Sequence, residues 1–148
     1  MHKASASIKI RSAPTEVFAA FVEADRMSQF WFTRRDHGLR QGENCTWYLG
    51  KGEDAYAFDI SVSHLSEPDS LVFEWPGPDG NKTSVRWSFE DDGDGNTILS
   101  VEETGFAGSD EEIAAKVLDS QGGFNQVVVA AKAFVEYGAA LNIVDDHA

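Results

Sequence analysis

The sequence predicts an α+β fold: a curved antiparallel six-stranded sheet wrapped around a long C-terminal helix, with two short helices after the first strand. Three observations predict it. Between residues 122 and 142, apolar side chains fall at Phe124, Val127, Val128, Ala131, Phe134, Val135 and Leu141, the spacing of a helix with one buried stripe. Upstream, a series of short runs sets its aromatic residues two apart, as strands with one covered face do. No comparable helix stands between this segment and the chain's early helical stretch. The long helix and one large, one-sided sheet must therefore cover each other, which tends to leave a pocket between them.

The elements follow in order. Ser5 to Arg11 alternates around Ile8 and Ile10 as a first strand. Pro14 suits the first turn of a helix with Val17, Phe18 and Phe21 on its apolar face. Asp25 is placed to cap a second short helix carrying Met27, Phe30 and Trp31. Thr33 to Gly38 is polar and reads as a loop. Five strands then form a meander. Cys45, Trp47 and Leu49 share a face of the second strand; Phe58, Ile60, Val62 and His64 share a face of the third. Leu71, Phe73 and Trp75 mark the fourth, Val85, Trp87 and Phe89 the fifth, and Leu99 and Val101 the sixth. Turns at Ser66–Asp69, Pro76–Asn81 and Asp91–Gly95 separate the last four of these runs. Ser109 with Glu112 forms a capping box for a short helix over 110–119, and Gly122-Gly123 breaks the run before the long helix. No repeat or linker interrupts the 148 residues, which read as one domain, 1–148.

Composition excludes several function classes. The net charge is −13, from 12 basic and 25 acidic residues, so nucleic-acid phosphates and an anionic membrane surface are both disfavoured partners. Cys45 is the only cysteine, which rules out an internal disulfide and a cysteine-based metal cluster and fits a buried, reduced thiol. The N-terminus lacks the apolar core of a signal peptide, and the longest apolar run, Val127 to Ala131, is too short to span a bilayer. A cytoplasmic location is expected.

Specific residues resemble a known family. Ala13-Pro14-Thr15-Glu16-Val17-Phe18 looks like its entry to the first helix, and Phe30-Trp31 like its tryptophan-bearing second helix. Glu67 to Trp75 resembles its most recognisable strand; Glu103-Thr104-Gly105-Phe106 and Gly122-Gly123-Phe124 resemble the end of its sheet and the start of its last helix. These features are similar to the START-like (SRPBCC) superfamily with its helix-grip fold, in the branch resembling the C-terminal domain of the activator of Hsp90 ATPase (AHSA1-like). The family's double glycine before the second strand stands here as Gly42-Glu43. The resemblance implies a pocket between sheet and helix; many members of the wider superfamily bind hydrophobic ligands and some cyclise polyketides. The eukaryotic co-chaperone carries a separate N-terminal domain, whereas this chain begins at the first strand, so an Hsp90-type chaperone is not an expected partner. A homodimer stays open.

The expected ligand is a small hydrophobic molecule held between the sheet and the Gly123–Leu141 helix. Its candidate contacts are Trp31, Trp47, Phe58, Phe73, Trp75 and Trp87, with Phe89, Val101, Glu103, Phe124 and Val128. Filling that space by Val128→Trp is expected to block uptake and spare the fold. A fully packed core is the plain alternative for the rings, each contributing about 1.5–3 kcal/mol by burial. Glu103 shares the parity of Leu99 and Val101 and points inward, where an unpaired carboxylate costs several kcal/mol; the pocket mouth, in contact with water, is its expected place. Catalysis by Glu103, with His64 on the rim, gives a rival cyclase- or hydrolase-like enzyme, and a chaperone-associated interaction protein is a third reading. No cofactor is implied, and no metal. Asp92, Asp94, Asn96 and Glu103 mimic a calcium-loop spacing, but Thr97 stands where that loop needs glycine. Arg34, Arg35 and Arg40 form a small basic patch that suits solvated loop charge or the capture of a carboxylate.

Overall fold

The inward residues of the alternating runs build one continuous sheet. The computed structural model describes residues 2–32, 34–49, 56–77, 79–144 and 146, and the backbone alone at Arg34, Arg35 and Leu49. Its strands are β1 (Ala4–Ile10), β2 (Arg34–Arg35), β3 (Asn44–Leu49), β4 (Tyr56–Ser66), β5 (Ser70–Pro76), β6 (Lys82–Asp91) and β7 (Thr97–Thr104). They are ordered β1-β7-β6-β5-β4-β3-β2, and the pairs are antiparallel throughout. Six are the expected strands. The seventh, β2, falls in the segment read as a loop, where Arg34 and Arg35 pair with Tyr48 and Trp47. Two residues carry no alternation to read; backbone pairing with the edge of β3 makes the strand.

The helices differ from expectation in informative ways. Pro14 opens α1 (Pro14–Val22), which buries Val17, Phe18, Ala20 and Phe21. In α2 (Ala24–Met27) the cap position belongs to Glu23, and Asp25 lies in the first turn, where its charge still suits the positive end of the helix. The long helix α3 runs unbroken from Asp110 to Tyr137, so the expected stop at Gly122-Gly123 is overturned. Each glycine weakens a helix by about 1 kcal/mol; the Ser109–Glu112 capping box and the packing of Phe124, Val127 and Val128 outweigh that. The helix closes at Gly138, whose φ of 67° forms a left-handed cap, and Leu141 lies beyond it, exposed.

Hydrogen bonds fix α3 along the edge strand β1, and both run in the same direction. Ser5 N–H donates to Gln121 Oε1 (3.3 Å), Lys132 Nζ to the Lys9 carbonyl (2.7 Å) and Arg11 N–H to Glu136 Oε2 (2.8 Å). Beneath the helix the rings interlock. Trp31 sits 5.3 Å from Trp47, 5.5 Å from Trp87 and 6.0 Å from Trp75, while Phe89 packs on Phe18 at 5.2 Å near α1. Among the described residues no helix is long and apolar enough to cross a membrane.

Candidate functional site

Side-chain alternation aims Trp75, Thr83 and Glu103 at one spot on the inner face. Trp75 and Thr83 are direct cross-strand partners of β5 and β6. Glu103 pairs with Val85, two residues from Thr83, and so reaches Thr83 diagonally. Glu103 is 3% exposed, which moves it from the expected water-facing mouth to the floor of the site. Its Oε2 accepts from the Thr83 hydroxyl and from Trp75 Nε1 at 2.8 Å. Its Oε1 is buried without a hydrogen-bond partner. A buried acceptor left in that state costs about 1–3 kcal/mol.

Over this floor lies a cavity of about 260 Å³ that opens to solvent at the end of the sheet. Phe32, Phe58, Trp75 and Phe106 wall it; Tyr56, Asp79 and Asn81 form its exposed rim, and Lys116, Asp119 and Ser120 face it from α3. Phe32, Phe58 and Trp75 meet steeply, at 68°, 67° and 86° with centroids 5.4, 6.3 and 6.4 Å apart. Phe32 reaches this corner with a φ of 39°, a left-handed conformation costing about 1–2 kcal/mol in a non-glycine residue and held here by ring contacts. Gly105, at φ 93°, turns the chain out of β7 so that Phe106 and Ala107 cover one side.

Lys116 ties the mouth together. Its ammonium donates to Asp79 Oδ2 at 2.5 Å and to the Ala107 carbonyl at 2.6 Å, joining α3 to the turn after β5 and to the segment after β7. That bond, with the Asn81 N–H, holds the Asp79 carboxyl below the usual carboxylate range.

Of the residues expected around a ligand, the cavity brings together Phe58, Trp75 and Glu103. Trp31, Trp47, Phe73, Trp87, Phe89, Val101, Phe124 and Val128 are buried in the core and are not among its lining residues. The room lies beside residues 116–120 of α3, not beside the valine face further along. His64 is exposed: a β-bulge between Val62 and His64 reverses the parity, so Leu65 takes the partly buried side. Cys45 is buried and its thiol donates to the His37 carbonyl at 3.3 Å. Arg40 pairs with Glu43 at 3.7 Å in solvent, and the Arg34 and Arg35 side chains lie outside the described residues. The acidic hairpin tip ties itself up: Asp92 Oδ1 accepts from the Asp94 and Asn96 N–H groups and Oδ2 pairs with Lys9 at 3.0 Å. No group of three or more His, Cys, Asp or Glu among the described residues is placed to hold a metal ion.

Sequence reasoning missed Phe32, Thr83, Phe106 and the polar rim. Thr83 alone carried a signal, since it shares the parity of Val85, Trp87 and Phe89.

A sheet gripping a C-terminal helix, with a cleft at one end of their contact, defines a helix-grip protein. Residues 11–136 match the sequence model of the family described as Activator of Hsp90 ATPase homolog 1-like protein, and the chain belongs to that family. No curated protein matches the chain in sequence. Among solved structures it is similar to protein SSP2350 from Staphylococcus saprophyticus, at 21% identity and a TM-score of 0.77, covering 94% of this chain and 95% of that one. DynU16, described as a protein in the dynemicin biosynthetic locus, gives 22% identity and 0.79; the match covers 95% of this chain and 49% of DynU16. The Aha1 dimer from Colwellia psychrerythraea gives 15% and 0.72, covering 93% and 98%. At these identities the likeness is one of fold.

Proposed function

We propose that the protein binds a small, largely apolar molecule in the cavity between the strand ends of β4–β7 and the first half of α3. The observation that carries the reading is an aromatic-walled cleft of about 260 Å³ with a buried, half-satisfied carboxylate on its floor. Apolar walls with a few placed polar groups are the usual make-up of small-molecule sites. The test is native mass spectrometry of purified protein for a co-purifying small molecule, on wild type and Ser120→Trp. Ser120 faces the cavity from α3, and an indole there fills it. Wild type is expected to carry a ligand that the folded variant lacks; equal loading of both proteins would refute this location.

One observation favours a second, enzymatic reading: Glu103, a buried carboxylate with one unpartnered oxygen, is among the residues that line the cavity, and a carboxylate in a cleft is a group suited to proton transfer. In it Glu103 acts without His64, which is exposed away from the cavity. Glu103→Gln abolishes turnover of a discovered substrate under that reading, and an unchanged rate removes it. A role beside an Hsp90-type chaperone has only the family's name behind it.

A further inference from the structure

We propose that the cavity selects an organic cation, an apolar molecule carrying a protonated amine, and discriminates against neutral and acidic analogues. The inference rests on the cavity being a binding site and adds the charge of what it takes. Phe32, Phe58 and Trp75 wall the cavity and stand at steep angles to one another. Ring faces are the negative side of the aromatic quadrupole and attract an ammonium group placed over them.

The charges of the lining point the same way. Among the described residues three carboxylates line the cavity, Glu103, Asp79 and Asp119, against one cation, Lys116. Lys116 is engaged by Asp79 and by the Ala107 carbonyl. Glu103 and Asp119 have no ion-pair partner among the described residues, so the described lining carries a net negative charge. Glu103 is the deeper of the two, and both donors supplied by the protein go to Oε2, while Oε1 is buried without a partner. An ammonium group is donor-only and carries the charge opposite to that of the Glu103 carboxylate in the cavity lining. A hydroxyl carries no charge, and a carboxylate is repelled. A bare metal ion is a poorer fit, because hard cations require several oxygen ligands and the walls here are rings.

The test uses three naphthalene probes of similar size carrying an aminomethyl, a hydroxymethyl or a carboxylate group, titrated by calorimetry at neutral pH and low salt. The amine is expected to bind about tenfold tighter than the alcohol or better, with the acid weakest. Glu103→Gln brings amine and alcohol within about threefold of each other. Phe58→Leu, which keeps an apolar wall and removes a ring face, weakens the amine more than the alcohol. Equal affinity of amine and alcohol for the wild type overturns the cation preference and leaves the cavity as a binding site. Failure of all three probes to bind overturns both. The wild-type comparison stands whether or not either variant folds.

Discussion

The Trp75 indole donates its N–H to Glu103 Oε2 at 2.8 Å while its ring stacks on Phe124, 5.9 Å away at 11°. One side chain thus joins the cavity wall, its floor and α3. Trp75→Phe keeps the stack and removes the donor, and is expected to cost about 1–2 kcal/mol in denaturant unfolding. Thr83→Val removes the other donor at similar cost. The double variant should lose more than the sum, because its second step strips a buried carboxylate of its last partner. Additive losses would show that water reaches Glu103.

Gly122 and Gly123 lie inside α3, and a Cβ added at either meets nothing within 4 Å. Gly122→Ala and Gly123→Ala are each expected to stabilise the fold by about 0.5–1 kcal/mol, seen as a higher melting temperature. A loss of stability in both would contradict a continuous helix through the pair.

The sheet was legible because inward residues such as Phe73, Trp87 and Leu99 repeat every second position within strands bounded by strong turns. The capping box was legible because two residues three apart make it. His64 was not, because a bulge adds a residue and leaves no mark in composition. The cavity was the hardest part to read. Its walls depend on the positive φ of Phe32, on Gly105 turning Phe106 inward, and on Lys116 meeting Asp79 across 37 positions of sequence. Glu103 was read as inward from strand parity, yet its partners lie on two other strands, and only their register brings them within reach.

Asp92 ties the β6–β7 hairpin to β1. The Asp94 N–H, the Lys9 ammonium and the Asn96 N–H together hold its carboxyl well below the usual carboxylate range, against the opposing effect of partial burial. Its folded pKa is depressed, so its contribution is complete above about pH 4 and is lost as pH falls through the lower folded value. Asp92→Asn keeps the acceptor for both N–H groups and loses the pair with Lys9. The variant is expected to melt below wild type at neutral pH, with the gap narrowing as pH drops below about 4. A gap that stays constant with pH would rule out the ion pair as its origin.

Bulk added at two places on α3 separates core from cavity. Val128 is 2% exposed within the core and is not among the cavity's lining residues. Val128→Trp therefore overpacks a filled interior instead of closing an empty one, and is expected to cost about 1–3 kcal/mol or more in denaturant unfolding. Ser120 is partly exposed and faces the open cleft. Ser120→Trp should stay within about 1 kcal/mol of wild type, since the added ring enters existing room. The two variants also differ in binding: any Val128→Trp protein that folds keeps an open cleft, whereas Ser120→Trp does not. A stable Val128→Trp protein that no longer binds the naphthalene amine would move the site from the strand ends to the valine face of the helix.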